Sequence, residues 1–371
     1  MSYKKCINCG DVYPEISSFL GICLKCIRTD FDNVLSVIKT RHSESRKKFG
    51  LPEHPPENPN GLLCKICGNE CKIGEGETGF CGLRKNVNGK LYHLSGTKYK
   101  GLVYWYYDYL PTNCCADWVC AGCSYSGYPK YSYSEGPESH KKNLAVFYKA
   151  CTFNCLFCQN WEFRVKDKNP VFLTSDELAK AVDEDTSCVC YFGGDPTPQL
   201  LHAISTSKTV LANNKGKIVR ICWETNGNMN RNLLKVMVKL SLESGGCIKF
   251  DLKSFDERIN IALCGVSNKT TIENFRWLSK FISQRPDPPL LIASTLLVPG
   301  YIDVEEISKI SRFIASLNKE IPYKLLAFYP QFYFRDLQVT SIKLAYDSLN
   351  AAKDAGLKNA DIGNKHLFKN W

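Results

Sequence analysis

The sequence of 371 residues has no apolar run long enough to cross a bilayer. Its longest, Leu290 to Val298, is nine residues and contains Ser294 and Thr295, against about 20 for a spanning helix. It also lacks a signal-peptide pattern, because Met-Ser-Tyr-Lys-Lys-Cys leads into no apolar segment. These absences argue against a membrane protein and point to the cytoplasm, where cysteines stay reduced. Charge of one sign is not concentrated either: the net +11 is spread along the chain. Short basic runs such as Arg46, Lys47 and Lys48 read as solvated surface rather than a nucleic-acid footprint. Histidine is scarce, at six, and His93 and His140 read as ordinary polar residues rather than ligands.

What is abundant is cysteine, twenty in all. In a large chain without a secretory pattern they point to metal rather than disulfides. The most informative group is Cys151, Cys155 and Cys158, in Ala-Val-Phe-Tyr-Lys-Ala-Cys-Thr-Phe-Asn-Cys-Leu-Phe-Cys-Gln-Asn-Trp. Three thiolates at C-x3-C-x2-C, just past a strand-like run, suit three irons of a [4Fe–4S] cluster and leave the fourth iron free to bind a small molecule. Zinc fits less well, since zinc sites take four ligands, usually in two separated pairs.

The remaining cysteines mark the organisation. Cys6, Cys9, Cys23 and Cys26 make C-x2-C-x13-C-x2-C, the spacing of a zinc ribbon or rubredoxin-like knuckle, followed by a basic helix. A proline-rich linker from Leu51 to Gly61 separates it from Cys64, Cys67, Cys71 and Cys81, and a third group holds Cys114, Cys115, Cys120 and Cys123. Each later group suits zinc or an additional iron–sulfur cluster. The expected divisions are 1–50, 51–137 and 138–371.

From Asn143 onward, strand-like runs alternate with helical ones. The strands fall at Leu144–Tyr148, Cys188–Phe192, Ile218–Trp223, Cys247–Leu252, Leu290–Leu297 and Tyr323–Phe328. The helices fall at Ser175–Val182 (opened by a Thr174/Glu177 capping box), Leu200–Asn213, Arg231–Glu243, Ile272–Ser283, Val304–Leu317 and Ser341–Ala355. Six repeats predict an α/β fold, a partial (β/α)6 TIM-like barrel preceded by small cysteine-rich segments, with chemistry at the C-terminal strand ends. Unusual residues do gather there: the cysteine triplet after the first strand, Gly193-Gly194-Asp195 after the second, Glu224-Thr225-Asn226-Gly227 after the third and Asp251-Leu252-Lys253 after the fourth.

On these motifs the chain from Asn143 onward resembles the radical S-adenosylmethionine (SAM) enzymes, near the pyruvate formate-lyase activating-enzyme branch. Cys64 to Arg84 is similar to the cysteine-rich leader of a subgroup catalogued with a Memo-like partner. The resemblance implies a [4Fe–4S] cluster on Cys151, Cys155 and Cys158, with SAM contacted by Gly193, Gly194, Asp195, Glu224, Thr225, Asn226 and Asp251. Asp195 would accept from the methionyl amine, and Glu224, Thr225 and Asp251 would line the SAM carboxylate and a monovalent-cation site. It further implies a reducing donor such as ferredoxin or flavodoxin, reductive SAM cleavage to a 5′-deoxyadenosyl radical, oxygen sensitivity, and a protein or peptide substrate. Ser294 and Tyr329 depart from the branch, which carries arginine and histidine at about those positions. Two other classes stay open: modification of RNA or a small metabolite, and a non-catalytic electron carrier or zinc scaffold. Trp105, Tyr106, Tyr107 and Tyr109 read as core packing. Cys188, Cys190, Cys222, Cys247 and Cys264 read as small buried hydrophobes.

Overall fold

The computed structural model describes residues 3–112, 114–167 and 169–368. Seven strands run parallel in sequence order: Lys142–Tyr148, Thr186–Gly193, Arg220–Thr225, Ile248–Asp251, Leu291–Leu297, Tyr323–Ala327 and Ala360–Gly363. Each pairs with the next. The sheet stays open, because the first parallel strand pairs not with the last but with an antiparallel strand, Gly101–Tyr109, itself flanked by the two-residue strand Phe172–Leu173. This is the partial barrel that the alternating pattern predicts. A residue range before 138 is thereby part of the main sheet.

The pleat explains how the strands divide their faces. Val189, Tyr191, Ile221 and Trp223 pack into the main core, with the Tyr191 and Trp223 rings stacked at 4.7 Å. The indole N–H of Trp223 donates to Ser241 Oγ on the helix Arg231–Ser244 at 3.0 Å, which fixes that helix against the sheet. The alternate positions, Cys188, Cys190, Cys222 and Cys247, form a separate cluster on the other face.

The helices Leu200–Asn213 and Val304–Leu317 have the predicted bounds, and the capping box of Thr174 and Glu177 is formed. Glu257–Cys264 was not anticipated as a helix. Its eight residues carry little periodicity to read, but Asp256 caps its start through Arg258 N and Gly265, with φ of 75°, ends it.

The N-terminal segment docks on the barrel. The Tyr301 hydroxyl donates to Ile22 O at 3.1 Å and accepts from Ser17 N at 3.0 Å, while Arg28 grips both oxygens of Asp303 at 2.7 Å. Arg46 is a correction: it is buried, not solvated surface, with its guanidinium 3.5 Å from the Phe80 ring centroid and donating to Pro52 O and Phe80 O. A lone basic residue in a charged run gives no sign that backbone carbonyls will receive it. The aromatic run also divides. Trp105 and Tyr107 pack inward, whereas Tyr106 and Tyr109 are exposed. Strand alternation turns Tyr106 to the face opposite Trp105 and Tyr107, and Tyr109 is exposed at the strand's last position, so a single reading for all four fails.

Under the sheet, Glu138 and Arg220 form an ion pair hidden from solvent, with Oε2 to Nη2 at 2.7 Å. Burial pushes the Glu138 carboxyl up, but Arg220, Ser187 and Tyr133 N outweigh that and hold it at about 2. A depressed carboxylate contributes stability above its ordinary value of 4.5, lost as pH falls toward about 2. Glu138→Ala leaves Arg220 buried without its carboxylate and is expected to cost about 3–5 kcal/mol, read from urea unfolding at neutral pH, with the gap to the unmodified chain narrowing in acid.

Candidate functional site

The loop after the first parallel strand turns sharply at Ala150, whose φ is 78°. It then runs along the helix Glu257–Cys264, with Asn154 N donating to Cys264 O at 2.8 Å and Leu156 N to Leu263 O at 3.0 Å. Cys151, Cys155 and Cys158 lie on this loop and line one cavity of about 220 Å³. Gly193, Gly194, Asp195, Glu224, Thr225, Asn226 and Asp251 line it too. Strand ends far apart in sequence thus converge on a single space.

Two glycines make the convergence possible. A Cβ on Gly194 would sit 2.2 Å from Ala150 O, and one on Gly193, at φ of 108°, would sit 2.7 Å from Tyr148 N. Without side chains, Gly194 N donates to Tyr148 O at 3.0 Å and Asp195 N to Ala150 O at 3.1 Å. The cysteine loop lies directly on this backbone.

Asp195 is buried, and both its oxygens are engaged within the protein. Oδ1 accepts from Thr197 N at 2.8 Å, while Oδ2 accepts from Asn226 N at 2.7 Å and Thr225 Oγ1 at 3.0 Å. Burial pushes this carboxyl up and these donors oppose the rise. The Asn226 amide continues the chain, donating to Thr152 Oγ1 at 2.9 Å and reaching Cys151 Sγ at 3.6 Å. Glu224 Oε1 accepts from Lys249 Nζ at 2.6 Å. Asp251 pairs with Lys253 through Oδ2, leaving Oδ1 buried without a partner among the described residues. Ser294 also lines the cavity, whereas Tyr329 is half-exposed.

Two participants escape the sequence reading. Cys264 places its sulfur 3.4 Å from Cys155 Sγ. The hydrogen bond between the two sulfurs lowers the Cys155 pKa despite burial, while Cys264 itself is driven up by burial. Arg164 is the second, in the short turn Trp161–Arg164 after the triplet. It is buried at the cavity, and its Nε and Nη1 have no partner among the described residues. A cation shortly after the cysteines was the only available signal.

The other cysteine groups differ in geometry. The sulfurs of Cys6, Cys9, Cys23 and Cys26 all lie within 4.8 Å of one another, an arrangement for a single tetrahedral ion. Backbone donors from Cys9, Cys23 and Asn8 overcome burial and bring the Cys6 thiol to about 7. The triplet does not meet that separation among the described residues, as expected of thiols that bind different irons. Cys64, Cys67 and Cys71 are pushed up by burial. Their segment abuts the site, with Gly68 N donating to Asn228 O and Asn69 Nδ2 to Thr152 O. Cys114, Cys115 and Glu224 bring three ligand atoms within 4.8 Å. Cys120 and Cys123 line the adjoining cavity.

Comparison with known proteins gives the following. The model of the radical SAM superfamily matches residues 145–314. An uncharacterized protein of Methanocaldococcus jannaschii is 26% identical over 315 residues, 82% of either chain. A protein of the same organism named as a glycyl-radical enzyme activating enzyme is 25% identical over 178 residues, 48% of this chain and 64% of that one. Among solved structures, a domain of pyruvate-formate lyase-activating enzyme from Bacteroides vulgatus ATCC 8482 aligns with a TM-score of 0.38 at 22% identity, covering 47% of this chain and 98% of that domain. No helix among the described residues is long and apolar enough to cross a membrane.

Gly194→Ala forces the Ala150 carbonyl away from the second strand end. The expected cost is about 1–3 kcal/mol, measured as a lowered urea midpoint together with faster labelling of Cys151 by a thiol reagent.

Proposed function

We propose that the protein reductively cleaves SAM at a [4Fe–4S] cluster held by Cys151, Cys155 and Cys158, a reading supported by the match of residues 145–314 to the radical SAM superfamily and by the similarity to an activating enzyme. The 5′-deoxyadenosyl radical then acts on a protein or peptide, as the name of the glycyl-radical relative suggests. The observation that carries the reading is the convergence of the triplet, the Gly-Gly-Asp turn and the third and fourth strand ends on one cavity. When bound, the cluster supplies the electron that breaks a carbon–sulfur bond of the sulfonium, giving methionine and the radical.

The residues present fit that cofactor pair. Three thiols stand at the cavity wall, and the Cys264 sulfur lies within hydrogen-bond reach of one of them, at 3.4 Å. The glycine turn leaves backbone exposed where any Cβ would close the space. The free N–H groups of Arg164 suit the SAM carboxylate. Asp195 acts by position, holding Thr225, Asn226 and thereby the Cys151 loop, rather than by presenting an oxygen left over for the amine. The unpartnered Oδ1 of Asp251 suits a cation or a ligand donor. An external reductant of the ferredoxin or flavodoxin type belongs to this reading. So does one zinc-type ion in Cys6, Cys9, Cys23 and Cys26, a segment that with residues 51–137 precedes the catalytic part.

With Cys151, Cys155 and Cys158 all changed to alanine, 5′-deoxyadenosine formed under dithionite should fall to background while far-ultraviolet circular dichroism is kept. Undiminished product would sink the assignment. Cys264→Ala removes a hydrogen bond to a ligand sulfur, and such bonds raise cluster potentials. The expected result is a more negative midpoint in an anaerobic redox titration, with SAM affinity retained.

A further inference from the structure

A cavity larger than the triplet's lies beside it, about 660 Å³ inside the barrel. The interior of a parallel barrel is ordinarily filled by layers of branched aliphatic side chains. Here its wall is sulfur. Cys190 and Cys222 are register partners on adjacent strands, and Trp223 N donates to Cys247 O, so Cys190, Cys222 and Cys247 form a row across three strands, with Cys188 one pleat away. Cys114, Cys115, Cys120 and Cys123, on the loop after the edge strand, close over the same space. Eight thiols thus face one chamber. The strand cysteines are buried among apolar neighbours, as the sequence suggests, and they also line this open space.

We propose that this chamber holds a second iron–sulfur cluster, ligated by the strand row Cys190, Cys222 and Cys247 together with thiols of the 114–123 loop. Thiolates are soft ligands that select zinc, copper(I) or iron–sulfur centres, and spacing decides among these. No four of the chamber sulfurs lie within 4.8 Å of one another among the described residues, whereas the four of the N-terminal knuckle do. A lone tetrahedral ion is suited by the knuckle. A group of several metal atoms is suited by the wider chamber. The buried ammonium of Lys249 stands 3.1 Å from Cys114 Sγ and 3.3 Å from Cys190 Sγ, a cation placed where it would offset the negative charge of a thiolate-bound centre.

The chamber also adjoins the triplet's cavity. Cys115, Phe192, Glu224 and Lys249 line both. A second centre there faces the space in which a substrate would meet the radical. The proposal does not rest on the role given to Cys151, Cys155 and Cys158, and the two can fail separately.

The test uses the full chain, reconstituted without oxygen with ferrous iron and sulfide, in a parent already carrying alanine at Cys151, Cys155 and Cys158. Adding Cys190→Ser, Cys222→Ser and Cys247→Ser should remove one cluster's complement, roughly four iron and four sulfide for a [4Fe–4S] centre. The reduced parent should show an electron paramagnetic resonance signal that the further variant lacks. In the unsubstituted background, Cys114→Ser, Cys120→Ser and Cys123→Ser should cause the same loss, which guards against a misfolded strand variant. A parent with no iron and sulfide overturns the proposal, as does iron unchanged by both sets of substitutions. Zinc without sulfide, lost on substitution, overturns the cluster while leaving the triplet assignment intact.

Discussion

One buried carboxylate organises this end of the barrel. An ionised group out of water costs several kcal/mol unless it is well paired, and Asp195 is paired only if three donors from two different strand ends reach it together. Thr197 N comes from its own turn, and Thr225 Oγ1 and Asn226 N from the next strand. Satisfying the carboxylate therefore fixes the second strand end against the third. Asn226, so held, can reach Thr152 and Cys151. The cysteine loop is placed by a relay of hydrogen bonds, not by its own conformational preference.

The glycines complete that constraint from the other side. Gly193 and Gly194 admit the backbone of Tyr148 and Ala150 where a methyl group would collide. Gly193-Gly194-Asp195 with Thr225-Asn226 is thus one mechanical unit. Its parts are meaningless singly, which is why each looks like ordinary turn chemistry in the sequence.

The sequence made the strand-and-helix alternation legible because strands buried on both faces must be continuous apolar runs, and helices packed on one side must repeat at 3.6 residues. That Cys151, Cys155 and Cys158 stand together was legible from their spacing, and all three line one cavity. Three things were not. Helix Glu257–Cys264 is only two turns long, and with it went the contact between Cys264 and Cys155. Arg164 and Arg46 are buried cations in charged or aromatic surroundings, and no local pattern distinguishes them from surface residues. The strand cysteines face the barrel interior through a parity of two, but parity gives a face, not whether the space opposite is filled. Only the arrangement of the 114–123 loop shows that it is open.

The wall between the two cavities follows from the same electrostatics that governs Asp195. Lys249 is buried, which alone would strip its proton, yet the sulfurs of Cys114 and Cys190 and the Glu224 carboxylate hold its pKa well above the ordinary value. Its ammonium is therefore shared between thiols on one side and a carboxylate on the other. Glu224 in turn faces the cavity of the cysteine triplet. Whatever negative charge the chamber holds competes with Glu224 for one cation. Lys249 thus stands in the wall between the two spaces, 2.6 Å from Glu224 Oε1 and 3.1 Å from Cys114 Sγ.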